Sequence, residues 1–175
     1  MAQINVAILG AGRIAQSMAE TLVKMAADDR YRDLVAPYAG AARDGKGVLV
    51  EKAFGANTQQ AREILDVSDE TGMLCTEAIW TRYMPSRGMI DDIIASGVIG
   101  EVQAIDANLC YPTTAKARIT DPALAGGALL DVGVYPINFI DMIMHNAPIA
   151  RVESSMQPYE TGVDAHNSMT FYYQN

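Results

Sequence analysis

At 175 residues, half of them apolar, the chain is long enough to bury a core and lies outside the disordered class. Twenty-one acidic against thirteen basic side chains give a formal charge of −8, which excludes a basic patch for nucleic acid or an anionic membrane and points to small-molecule ligands. No basic segment followed by a long apolar stretch opens the chain, and no later apolar run reaches spanning length, so a cytoplasmic protein without a membrane partner is expected. Cys75 and Cys110 lack metal-ligand spacing and read as two reduced core thiols; no metal site is expected.

The stretch 5–15 reads NVAILGAGRIA, an apolar run that passes at once into Gly10, Gly12 and Ala15 spaced G-x-G-x-x-A. In a strand-turn-helix this spacing serves a dinucleotide. The first glycine permits the tight turn, the second removes a side chain from the path of a pyrophosphate, and the alanine lets the helix lie against the strand. The helix N–H groups and dipole then face the phosphates. Ile14, Met18, Leu22 and Met25 continue at helical spacing, so a helix is expected over 13–27. A plain βα corner is the other reading of the glycines. On the dinucleotide reading Gly10, Gly12, Arg13, Ile14 and Ala15 touch the cofactor. A second strand is expected over 33–39, after which an NAD-preferring site places an acid; here Arg43 follows instead. An arginine there either suits a 2′-phosphate, a slight preference for NADP over NAD, or is a solvated loop residue.

From Asp44 the chain runs through Gly45, Lys46 and Gly47 into another apolar strand, 48–50, which ends in Glu51 and Lys52. No third βα unit intervenes, and the residues before Gly72 are too few for a six-stranded doubly wound sheet. The expected fold is α/β: an abbreviated parallel Rossmann sheet with helices over 1–80, then a partial α+β domain with a mostly antiparallel sheet over 81–175. A helix is expected over 56–71, capped by Asn57 or Thr58 and stopped at Gly72, with a strand over 73–78. Next come a helix over 86–96 with Gly97 at its C-terminus, an alternating strand over 101–111, and a helix entered through Gly126 and Gly127. Strands over 151–157 and 163–173 complete three strands beside one central helix. If nothing follows it, the last strand is left as an open edge that invites a second chain. His145 and His166 have no acid or cysteine partners at ligand spacing and read as structural or exposed.

The ordered motifs GAGRIA, VLVEKAF (48–54), TEAIWTRYMP (76–85), SGVIGEV (96–102) and GGALLDVGVYPINFI (126–140) resemble the glucose-fructose oxidoreductase, inositol dehydrogenase and MocA family. The EAIWTRYMP and DVGVYP wording is most similar to its dihydrodiol and xylose dehydrogenase branch. Members are considerably longer. Against them this chain is internally shortened, lacking a third βα unit expected between about Asp44 and Gly45, and it stops at Asn175 inside what resembles the early C-terminal sheet. The resemblance implies an NAD(P)-dependent oxidoreductase that moves a hydride between nicotinamide and a secondary alcohol of a sugar, polyol or cyclic diol. It also implies a homo-oligomer joined through that sheet. A catalytically silent relative that only binds nucleotide, or serves structurally, is the competing reading.

Lys52 ends a buried strand at its carboxyl edge, the rim where open α/β sheets take ligands. An ammonium there favours the alkoxide that develops as hydride leaves. Lys52 matches the lysine of the family's E-K-P or E-K-A motif, with Glu51 beside the cofactor; a lysine snorkelling from a strand end is the plainer reading. Asp131 and Tyr135 stand four apart in an apolar helix, so both project from one side, although Gly133 and Pro136 weaken that helix. The tyrosine hydroxyl is a candidate general acid or base, and the aspartate orients substrate or assists the proton's path. Many relatives have histidine where this chain has Tyr135. A helix-start aspartate and a packed aromatic would read the same way. Trp80 and Arg82 follow the strand at 73–78, either lining the cofactor or substrate pocket or serving as a hinge pair before the next helix. Arg118, in a later loop, is placed to approach the same cleft.

Overall fold

Four short runs of the first unit, Ile4–Leu9 (β1), Val35–Pro37 (β2), Gly47–Val50 (β3) and Cys75–Glu77 (β4), form one parallel sheet in the order β2-β1-β3-β4. The structure is a computed structural model and describes residues 4–9, 35–37 and 47–174. The helix expected over 13–27 lies outside those residues, as do Gly10, Gly12, Arg13, Ile14, Ala15 and Arg43. The chain divides into two compact units, Met1–Ala78 and Ile79–Asn175.

The described strands follow the order of the inner part of a doubly wound sheet, without the outer strand at either edge among the described residues. In the full pattern 3-2-1-4-5-6, the third strand lies beyond the second; among the described residues β2 is the last strand on that side. Nine residues, 38–46, link β2 to β3 in the sequence, fewer than the dozen or more that a parallel crossover ordinarily takes. β3 runs between β1 and β4 and carries Val48, the buried apolar side chain of this unit among the described residues. The helix Thr58–Thr71 (α1) follows. Its start is fixed by two local hydrogen bonds: the Gln60 N–H donates to Asn57 Oδ1 at 3.0 Å, and the Ala56 N–H donates to Gln60 Oε1 at 2.8 Å. These satisfy N–H groups that have no partner within the helix. Gly72 ends it in the left-handed region at φ 66°, a conformation that costs glycine little.

The second unit begins at Ile79, only 2% exposed, and turns at once through a 3₁₀ segment, Trp80–Tyr83, into the helix Pro85–Ala95 (α2). Pro85 opens α2, where its missing N–H costs nothing. A four-residue helix, Ala117–Thr120 (α3), buries Ile119. A 3₁₀ turn, Pro122–Leu124, and a π-turn, Leu129–Gly133, then lead directly into Val134–Met144 (α4). The expected helix is therefore composite. Pro136 has no N–H to return to the preceding turn, and the chain widens just before it, with the Val134 N–H donating to the Leu129 carbonyl five residues back. Ile149–Pro158 (β5) and Asp164–Tyr173 (β6) form an antiparallel hairpin.

Four expectations are corrected. The segment 101–111 is not a strand: Ile105, Ala107 and Leu109 are half-buried and the even positions 104–110 exposed, but no strand pairs with it among the described residues. Alternation sets which side faces inward, whereas a strand also needs a backbone neighbour. Two strands rather than three accompany α4 in the second unit. The run Pro122–Met144, 23 residues, does reach spanning length by composition, although Ala125 and Gly127, both at positive φ, separate its 3₁₀ start from the rest of the helix. Two of its carboxylates, Asp131 and Asp141, are paired with arginines of the same unit. Lastly, Cys110 is exposed and Cys75 half-buried, so neither is a core thiol.

Candidate functional site

In the first unit the site is an edge. Leu9 lies beside Val50, and Val50 beside Glu77, so β1, β3 and β4 finish on one line. The Ala78 N–H extends that line by donating to the Val50 carbonyl at 2.7 Å. β2 lies on one side of β1, with β3 and β4 on the other, so the sheet changes winding direction between β1 and β3. Open α/β sheets take ligands outside the carboxyl ends at such a point. Gly10 follows β1 directly in the sequence, and Glu51 and Lys52, both half-buried, follow β3. In the sequence, the candidate cofactor residues Gly10 and Glu51 thus follow the two strands that flank the switch.

In the second unit the site is a cleft of about 770 Å³. The 3₁₀ turn, α2, the extended segment at 106–111 and α4 bound it. Trp80 and Tyr135 both line it, with ring centroids 6.3 Å apart and planes at 61°, an edge-on arrangement that orients the phenol. Asp106, Asn108 and Asn138 supply polar groups to a wall that is otherwise largely apolar, the usual composition of a small-molecule pocket.

The other sequence-selected residues are held nearby. Arg82 Nη2 donates to Asp141 Oδ2 at 2.7 Å, and the Asn138 amide, its oxygen turned to the guanidinium, accepts from Arg82 Nη2 and Nε at 3.0 and 3.1 Å. Asp131, in the π-turn, accepts from Arg118 Nη1 at 2.7 Å; its side chain is 12% exposed, against 58% for the arginine. Asp164 Oδ2 accepts the Leu129 N–H at 2.6 Å and also holds the Asn167 amide, so β6 fastens the start of the same turn. The structure therefore brings Trp80 to Tyr135, Arg118 to Asp131, and Arg82 to Asn138 and Asp141. Asp131 is not among the residues that line the cleft. Sequence reasoning missed Asp141, Asn138 and Asp164. Asn138 and Asp141 are three apart on one helix and so share a face, a usable signal, but the partner Arg82 is 59 residues distant from Asp141. Burial and the nearby Asp141 carboxylate push the Tyr173 hydroxyl above its ordinary range. Among the described residues no group of three metal-binding side chains converges.

Comparison with known proteins agrees with this geometry. Residues 89–175 match the model of the GFO/IDH/MocA C-terminal domain. The chain is 36% identical over 120 residues to the trans-1,2-dihydrobenzene-1,2-diol dehydrogenase of Bos taurus, which is 69% of this chain and 36% of that protein. It is 34% identical over 141 residues to the D-xylose 1-dehydrogenase (NADP(+)) of Hypocrea jecorina, covering 71% of this chain and 36% of the relative. The chain thus spans about a third of the length of these curated relatives. Among solved structures, a 3-ketoreductase from Actinomadura kijaniata, in complex with NADP and TDP-benzene, superposes with a TM-score of 0.69 at 22% identity, over 99% of this chain and 67% of that one. A parallel sheet that switches direction between β1 and β3, followed by an α+β unit, is a Rossmann-type fold. Within that class the chain belongs to the glucose-fructose oxidoreductase, inositol dehydrogenase and MocA family.

Proposed function

We propose that the protein is an NAD(P)-dependent oxidoreductase that acts on a secondary alcohol of a sugar, polyol or cyclic diol. The observation that carries this reading is the register of the first sheet, which ends β1 and β3 side by side at the switch point. The glycine motif follows one of these strands and Glu51-Lys52 the other. A bound nicotinamide dinucleotide supplies the hydride acceptor or donor. Gly10, Gly12, Arg13, Ile14 and Ala15 bind its phosphates in this reading, and Arg43 gives the slight preference for NADP. The names of the relatives, a diol dehydrogenase and an NADP-dependent xylose dehydrogenase, support the substrate class. The Lys52 ammonium steadies negative charge on the substrate oxygen, the Tyr135 hydroxyl exchanges the proton, and Asp131 orients the alcohol. Trp80 closes one wall of the cleft on which Tyr135 opens. The β5–β6 hairpin, exposed along the whole of β5, is the surface through which copies of the chain would join.

Replacing Lys52 by Met tests the assignment. Loss of a cation aimed at developing charge is expected to lower kcat by roughly 10²–10³-fold, with the Kd for NADP and the melting temperature unchanged. Undiminished turnover would remove Lys52 from the reaction.

A further inference from the structure

The contacts around the π-turn extend to a residue that the family reading leaves without a role. Asp131 and Arg118 are wired through one residue, Gly127. Its N–H donates to the Ile119 carbonyl at 2.8 Å, which fixes α3, and its carbonyl accepts the Asp131 N–H at 3.3 Å, which fixes the start of the π-turn. Ile119, beside Arg118, is buried and seats α3 against the unit. The two backbones are thus set before any side chain meets. Across this frame the Arg118 guanidinium donates to Asp131 Oδ1 at 2.7 Å. The carboxylate is mostly covered and the arginine mostly exposed, so the guanidinium lies over the acid from the solvent side. A charge-assisted hydrogen bond to one carboxylate oxygen restrains rotation of that carboxylate about its last bond.

We propose that Arg118 is a positioning residue: it holds the Asp131 carboxylate in the rotation in which Asp131 orients the substrate alcohol. This rests on the reading of Asp131 given above. Arg118 is not among the residues that line the cleft and acts through Asp131. The π-turn gives the arrangement its purpose, because it sets Asp131 one turn ahead of Tyr135 in a segment whose own hydrogen bonds are widened and need an outside brace.

The test is a cycle of variants: Arg118→Gln, Arg118→Lys, Asp131→Asn and the Arg118→Gln/Asp131→Asn pair. Each is assayed for NADP-dependent oxidation of D-xylose and of trans-cyclohexane-1,2-diol, with melting temperatures in parallel. Misorientation of a substrate-aligning group is expected to lower kcat roughly 10- to 100-fold in Arg118→Gln, with the KM for NADP and the melting temperature unchanged. Arg118→Lys should recover part of that loss. In the Asp131→Asn background the same change should cost nothing more, because the two residues act as one. Full kcat in Arg118→Gln, or losses that multiply in the double variant, would overturn the positioning role while leaving the function intact. A wild-type chain that turns over neither substrate would overturn the functional reading, and the positioning role with it.

Discussion

Candidate residues of the first unit follow strand ends, whereas those of the second are held by partners from distant parts of the chain. Lys52 stands where it does because β3 ends beside β1, a matter of backbone register. Asp131, Leu129 and Arg82 are fixed by partners 13, 35 and 59 residues away. The first arrangement tolerates change at most side chains, since backbone hydrogen bonds carry it. The second depends on a few particular groups, so altering one of them releases the side chain or backbone group it holds.

The largest expected effect comes from the junction in the second unit. Gly127 is buried at φ 125°, and a Cβ there would run into the Asp164 carboxylate that holds the Leu129 N–H. Gly127→Ala combines backbone strain with overpacking and should cost roughly 2–4 kcal/mol of stability in urea unfolding. A variant as stable as the wild type would show that the junction does not depend on that close approach. In the first unit the matching local feature is the cap of α1. Asn57→Ala removes the acceptor for the Gln60 N–H and should cost about 1 kcal/mol, the usual value of such a cap. A loss as large as that of Gly127→Ala would erase the contrast between the units.

The smallest effect compares one thiol from each unit. Burial pushes the Cys75 thiol above its ordinary range, so less of it is thiolate at pH 8, while Cys110 is exposed. Labelling with a disulfide reagent at pH 8 should be biphasic, Cys110 first, and the gap should narrow as the pH rises and Cys75 ionises. Equal rates at pH 8 would place Cys75 in open solvent.

The same contrast explains what could be read in the sequence. β1, β3, α1, its Asn57 cap and the Gly72 stop were legible because each is written in adjacent residues: apolar runs, a capping side chain, a glycine at positive φ. The sequence shows no third βα unit between Asp44 and Gly45, and among the described residues no strand lies beyond β2. The segment 101–111 misled because its alternation describes burial and carries no information about a neighbouring strand. In the second unit Asp131 and Tyr135 stood out at helical spacing, but the brace from Arg118 and the anchor from Asp164 did not. Pairings between remote side chains follow from the assembled unit and leave no periodic trace.

Titration of the purified protein with NADPH and with NADH, following nicotinamide fluorescence and melting temperature together, asks whether the edge between β1 and β3 takes a dinucleotide. A saturable signal is expected, with a rise in melting temperature that grows with ligand concentration and is stronger for NADPH. Absence of binding by either nucleotide would contradict it, and would leave the sheet edge between β1 and β3 without its proposed ligand.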